Sequence, residues 1–196
     1  MNFKKAAFAK RTTATLVLIG VSFCSYAEHH ETKAAELEVP MIDTKGKAIG
    51  TLTLTETANG VLITGELEGI SKGEHAFHIH ETGSCDVATG FKSAGGHLSG
   101  QHSHGYRSSE GPHPGDMSNI HVMSKKAIEI ETFNAAVTLG DTDVATGQTS
   151  LLDDDGTAIV IHEGADDYES QPSGAAGSRV ACGVIMMQEQ MSSAAH

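Results

Sequence analysis

The sequence predicts an all-β domain of about eight short strands, an antiparallel sandwich or barrel carrying two long functional loops at about residues 81–118 and 163–178. Three observations lead there. Apolar and polar residues alternate in short runs, the period of a half-buried strand. Turn signals separate the runs. No stretch shows the period of a long amphipathic helix, and no internal repeat is visible. The composition agrees, since 22 glycines and only 4 prolines suit many turns and exclude a proline-rich low-complexity chain.

Taken in order, Glu36-Leu37-Glu38-Val39 alternates and Thr44-Lys45-Gly46-Lys47 reads as a turn. Ile49 to Thr55 alternates again, with Leu52 and Leu54 on one face. Ala58-Asn59-Gly60 is a hairpin signal, and Val61 to Leu67 is the return strand. Ala76-Phe77-His78-Ile79-His80 alternates bulky apolar residues with histidine. Residues 81–118 lose this periodicity and are rich in Gly, Ser, His and Asp; so long an irregular stretch in a small domain is usually functional. Strand patterning resumes at Ile120–Met123, continues through Ala127–Leu139, returns at Ala158–His162 and closes at Val180–Ile185.

The first residues have another explanation. Lys4, Lys5, Lys10 and Arg11 precede an apolar run, Ala14–Val21, and Ser25-Tyr26-Ala27 places small residues where a signal peptidase reads them. Residues 1–27 are expected to be a cleaved leader, residues 28–34 a polar tail, and residues 35–196 one domain. Lipidation at Cys24 is disfavoured by Phe23, and the apolar run is short for a membrane span. Cleavage removes four basic residues and no acidic one, so the net charge moves from −12 to −16. That balance argues against nucleic acid and anionic membranes as partners. Of the three cysteines, Cys85 and Cys182 remain, and two cysteines in an exported chain usually pair.

The chemistry lies in the histidines, of which there are 12. His78 and His80 are two apart on a strand, so both imidazoles leave the same face while Phe77 and Ile79 pack the other. His162 ends another apolar strand. The first loop supplies His97, His102, His104, His113 and Asp116. His113-x-x-Asp116 sets an imidazole and a carboxylate one turn apart. Imidazole with carboxylate suits zinc, and imidazoles alone suit copper. No hydrophobic role fits so many histidines, and a merely solvated loop favours Lys, Glu or Ser. His29, His30 and His196 are tail residues.

At these residues the chain resembles the copper/zinc superoxide dismutase family. Gly73–Glu81 is similar to the family's copper-binding strand, and Ser93-Ala94-Gly95-Gly96-His97 to its bridging-histidine segment. His104-Gly105 and His113-Pro114-Gly115-Asp116-Met117-Ser118-Asn119 resemble its zinc-ligand segments. Val160–Asp167 resembles its last copper ligand and electrostatic loop, and Gly177–Ile185 its C-terminal signature. The short step from His80 to Cys85, with the leader, resembles the exported bacterial branch, which implies a periplasmic location.

The resemblance implies a Greek-key barrel and a site with two metals. Copper would sit on His78, His80, His97 and His162, and zinc on His97, His104, His113 and Asp116. His97 would bridge the two as an imidazolate and, with Arg179, serve the reaction; Arg179 would bind the incoming anion. Asp166 would tie His78 to His104, and Cys85–Cys182 would pin the zinc loop. His75 and His121 match no ligand position. The implied substrate is superoxide, two of which with two protons become dioxygen and hydrogen peroxide. Zinc has no accessible second redox state, so copper would carry the electrons. A homodimer and a monomer both stay open.

Three expectations wait on the structure. His102 and His104 compete for one ligand position, with His104 preferred because Gly105 follows it. Superoxide is an anion and the chain is acidic, so a local cation should steer it; Lys72, Lys92 and Arg107 are the candidates, with Lys92 or Arg107 as the expected residue. A metal carrier on the same scaffold is the competing reading, expected to lack the arginine, the bridging histidine or the zinc set.

Overall fold

Alternating burial shapes the strands. The computed structural model describes residues 35–187 apart from 125 and 142–144. The expected leader, tail and C-terminal His196 lie outside the described residues. In β1 (Glu36–Asp43) Val39 and Met41 are fully buried, and in β2 (Ala48–Thr57) so are Leu52 and Leu54, as the sequence period requires. The β1–β2 register shifts between Met41 and Ile42. This bulge lets Ile49 and Leu52, three apart, both point inward. A two-residue turn, Ala58–Asn59, joins β2 to β3 (Gly60–Leu67), and Thr57 Oγ1 donates to Gly60 O at 2.7 Å.

Next come β4 (Gly73–His75) and β5 (Phe77–His80), separated by Ala76 alone. They are followed by β6 (Ile120–Val122) and β7 (Ile128–Asn134). The run expected from Ala127 to Leu139 breaks after Asn134, whose side-chain Oδ1 accepts from Ala136 N at 2.9 Å and turns the chain. Val137–Thr138 (β8) then pairs in parallel with Thr149–Ser150 (β9). Finally β10 (Thr157–His162) and β11 (Arg179–Ile185) return to the main sheet.

The main sheet has the order β5-β10-β11-β1-β2-β3-β7, and β4 pairs with β6. With β4 and β5 taken as one strand, eight main strands remain, all antiparallel, as the sequence predicts; β8–β9 is an addition. Neighbours distant in sequence, β3 with β7, β1 with β11 and β5 with β10, give the Greek-key barrel. Its core holds Leu52, Leu54, Ile63, Phe77, Ile79, Ile159 and Ile161, all fully buried.

A second, smaller apolar cluster explains why β10 is buried at every position. Ala158 and Val160 point away from the main core, and the first long loop covers them with Phe91 and Ala94. That loop is irregular but ordered. Short 3₁₀ turns occupy Val87–Thr89 and Lys92–Ala94, and Asp86 caps the first by accepting from Ala88 N at 2.8 Å. Cys85 and Cys182 form the disulfide that fastens the loop to β11, with Cα atoms 5.7 Å apart.

The disulfide joins residues 97 apart in sequence, so it constrains the unfolded chain strongly. Cys85→Ser is expected to lower unfolding free energy by about 2–5 kcal/mol, read as a shift of the urea midpoint. An unchanged midpoint contradicts this.

Candidate metal centre

The site is built on the face of β5 turned away from the core. Phe77 and Ile79 enter the core, so His78 and His80 project together to the other side, where both are almost completely buried. The backbone of the first long loop docks on the free edge of this strand. Ile79 N donates to Gly115 O at 2.8 Å, and Leu98 N donates to Ile79 O at 2.9 Å. Those two bonds bring His97 opposite His80 and Asp116 opposite His78. Gly115 has to be glycine, since a Cβ there would stand 2.3 Å from Ile79 O. On the other edge, β10 pairs Val160 with His78, and a bulge between Ile161 and His162 turns His162 into the same group.

Four imidazoles converge as a first group: His78, His80, His97 and His162, each offering a nitrogen within 4.8 Å of the others. His80 Nε2 and His162 Nε2 face each other at 3.4 Å. Their remaining nitrogens are occupied. His80 Nδ1–H donates to Gly95 O at 3.1 Å and His162 Nδ1–H to Gly177 O at 3.3 Å. His78 Nε2–H donates to Asp166 Oδ2 at 2.9 Å. His78 Nδ1 and His97 Nε2 are buried with no hydrogen-bond partner.

A second group is formed by His97, His104, His113 and Asp116. Asp116 Oδ1 lies 2.9 Å from His97 Nδ1, 3.0 Å from His104 Nδ1 and 3.2 Å from His113 Nδ1. Its Oδ2 accepts from Gly105 N at 2.8 Å and His113 N at 3.0 Å. Burial would raise this carboxyl, but the contacts from His97 and the backbone N–H groups outweigh it and hold the group far below the usual carboxylate range. His104 is fully buried and His102 is exposed, so of the two sequence candidates the fold brings His104 in.

Asp166 connects the groups. Its Oδ2 meets His78 and its Oδ1 meets His104 Nε2, each at 2.9 Å. Burial raises this carboxyl too, but bonds from His78, His104 and Tyr168 N bring it down to about 2. Although His78, His104 and Asp166 form a third cluster of potential donors, Asp166 is engaged with both histidines by hydrogen bonds.

His104 supplies the test of fit for a metal. Both its nitrogens lie against carboxylate oxygens, yet a neutral imidazole carries one proton. With Nε2–H given to Asp166, the Nδ1 lone pair faces Asp116, a repulsive arrangement unless a cation lies between. Tetrahedral zinc with 2.0–2.1 Å bonds separates its donors by about 3.3 Å, near the spacings here. In the first group, two unpartnered lone pairs in a buried pocket would each be unfavourable by about 1–3 kcal/mol without something to accept them. Both donor sets fit the metals that the sequence resemblance implies, an imidazole set and an imidazole–carboxylate set.

Arg179 pairs across from His162 in the β10–β11 register. Its guanidinium donates to Phe91 O and Gly95 O, so it is fixed by the disulfide loop. Gly95 O thereby serves both Arg179 and His80. Lys92 lines the same surface depression as Arg179, Gly177 and Ser178, while Arg107 is not among its lining residues. His75, expected to be no ligand, is buried and bonds through Nδ1 to His162 O at 2.7 Å, bracing the turn after β10. His121 is on the exposed surface of β6, 3.4 Å from Glu74. Sequence reasoning missed Asn119, whose side chain grips both Asp166 N and Asp166 O, and Gln171, which does the same for His104. Nothing in sequence spacing marks either residue.

The family model described as copper/zinc superoxide dismutase (SODC) matches residues 48–185, and the chain belongs to that family. Among curated relatives, superoxide dismutase (Cu-Zn) 2 of Aquifex aeolicus is 44% identical over 173 residues, spanning 87% of this chain and 94% of its own. The Caulobacter vibrioides superoxide dismutase (Cu-Zn) is 42% identical over 142 residues, spanning 71% and 79%. Among solved structures, a SOD-like protein from Bacillus subtilis superposes with a TM-score of 0.70 at 32% identity, covering 77% of this chain and 99% of its own.

The buried rings predict acid sensitivity of the metal-free protein. Burial is the main reason that His78 falls to about 4 and His162 to about 3, from an ordinary 6.5. Below about pH 6.5 the unfolded chain takes up protons on these rings and the folded chain does not. Stability is therefore full above that pH and declines as pH drops toward 4. Asp166, lowered from 3.8, extends the decline further into acid. Urea midpoints of chelator-treated protein between about pH 7.5 and pH 4.5 check this; a midpoint that rises toward acid contradicts it.

Proposed function

We propose that the chain dismutates superoxide, with copper held by His78, His80, His97 and His162 and zinc held by His97, His104, His113 and Asp116. The observation that carries the reading is the completeness of the donor arrangement. Every imidazole of the first group presents one nitrogen inward, and a fixed guanidinium stands beside them. A carrier needs donors, but it does not need Arg179 or a shared His97.

Bound copper would supply one-electron cycling, which zinc cannot, while zinc would hold its donor set in place. The protein's own groups do the rest. Arg179, locked by Phe91 O and Gly95 O, offers a guanidinium to a small anion at the mouth of the site. His97 has its Nδ1 on the zinc side and an unpartnered Nε2 on the copper side. Were Nε2 released from the copper, it could take a proton and deliver it to a reacting oxygen without breaking another hydrogen bond. Asp166 fixes the proton on Nε2 of both His78 and His104, which keeps their Nδ1 atoms free as donors. In total, two superoxide anions and two protons become dioxygen and hydrogen peroxide.

The reading extends to the cell. Residues 1–27 act as a leader cleaved near Ala27, residues 35–196 are the mature domain behind a polar tail, and the enzyme works in the periplasm. Mass measurement of the exported protein's N-terminus checks this, and an uncut leader would overturn it.

Superoxide decay by the protein loaded with copper and zinc is the direct test, and background-level decay with both metals bound would leave the carrier. His162→Ala is expected to abolish activity while zinc stays bound, whereas Asp116→Ala releases zinc first; metal content by atomic emission separates them. Arg179→Ala should lower the rate about 10²-fold. Lys92→Ala should lower it by a smaller factor and flatten its dependence on ionic strength. An unchanged salt dependence would reject Lys92 as the steering cation.

A further inference from the structure

Gln171 touches no atom that the proposed reaction uses. It lies on the second long loop, and the backbone at His104 that it grips lies in no strand. A buried main-chain N–H and C=O in an irregular loop need partners from elsewhere. One carboxamide supplies both. His104 N donates to Gln171 Oε1 at 3.0 Å, and Gln171 Nε2 donates to His104 O at 2.9 Å. The same Nε2 also donates to Glu169 O at 3.1 Å, which ties the side chain to its own turn.

The turn that carries Gln171 also closes over the His104 ring. Gly174 N donates to Ser170 O at 2.6 Å, and this places Gly174 against the Asp166–His104 contact. A Cβ at Gly174 would stand 1.8 Å from Asp166 Oδ1 and 2.7 Å from His104 Nε2. His104 is thus held twice by the second loop, at its backbone by Gln171 and at its ring by Asp166. Its own loop gives its backbone no ladder. The next residue, Gly105, is spent on Asp116 Oδ2.

We infer that Gln171 is a positioning residue for the zinc donor His104, through which the second loop sets how firmly zinc is retained. The inference rests on the assignment of His104 to zinc. Gln171 touches neither metal donors' ring nitrogens nor the substrate region at Arg179. It acts by fixing the main chain from which His104 hangs, so that Nδ1 stays aimed at Asp116 Oδ1 while Nε2 stays on Asp166. Because the side chain is exposed on its outer side, its effect belongs at the low end for groups that orient a metal ligand, about 10-fold in metal affinity.

Two near-isosteric variants separate hydrogen bonding from packing. Gln171→Met keeps the volume and removes both bonds. Gln171→Glu keeps the acceptor for His104 N–H but turns a carboxylate oxygen toward the carbonyls of His104 and Glu169. Each is prepared with copper and zinc, and zinc release into a colorimetric chelator is timed. Cobalt(II) placed in the zinc site reports the donor geometry through its visible absorption. Both variants are expected to release zinc about 10-fold faster, with a changed cobalt spectrum and unchanged copper release. Gln171→Met behaving as the parent would overturn the inference, because packing alone would then suffice. Equal acceleration of copper and zinc release would overturn it as well, by showing general loosening. His104→Ala is run alongside: a parental cobalt spectrum in that variant would refute the zinc assignment itself, whereas loss of the spectrum there with parental Gln171 variants would sink only the positioning role.

Discussion

A neutral imidazole has two nitrogens and one proton, and the arrangement of this centre depends on where each proton is placed. His80, His162 and His78 each hand their N–H to a protein acceptor, Gly95 O, Gly177 O and Asp166, and keep the other lone pair for the site. His104 follows the same rule through Asp166. His97 alone has both nitrogens turned inward, one toward each group. Those acceptors come from the two long loops. The fold's task is to hold these segments within hydrogen-bond reach of the two histidine-bearing strands.

Strand β5 is the member on which that task turns. One face anchors in the core through Phe77 and Ile79, one edge is paired with β10, and the other receives the loop backbone at Leu98 and Gly115. Such a strand has little freedom to shift, so His78 and His80 are held by the barrel rather than by metal. The disulfide then adds the arginine. By fastening the first loop to β11 it keeps Phe91 O and Gly95 O where Arg179 can use them, and Gly95 O passes the same constraint to His80. Core packing, the disulfide and the Arg179 guanidinium are therefore one connected structure.

The two long loops face each other across Asp166. Asn119 holds the Asp166 backbone, Gln171 holds the His104 backbone, and Tyr106 stacks on Tyr168 with ring centroids 5.3 Å apart. Loops usually need strands or metals to order them. Here side-chain amides and a ring pair supply much of the order, so the donor positions are prepared before an ion arrives.

The sequence by itself determined a good deal. Alternation gave the eight main strands, because the period of two follows from which face is buried and needs no long-range information. The His-x-His pair on β5 was legible for the same reason, and His97, His113, Asp116, His162 and Arg179 through motif resemblance. Three things only the tertiary structure decided. It buried His104 against Asp116 and left His102 exposed, where the sequence offered only Gly105 as a reason to prefer His104, because burial depends on how the loop folds back. It broke the strand expected to run to Leu139, because a side chain of Asn134 turned the backbone. And it revealed Gln171, 67 residues from His104, whose amide leaves no local signature since its partners are main-chain atoms that every residue possesses.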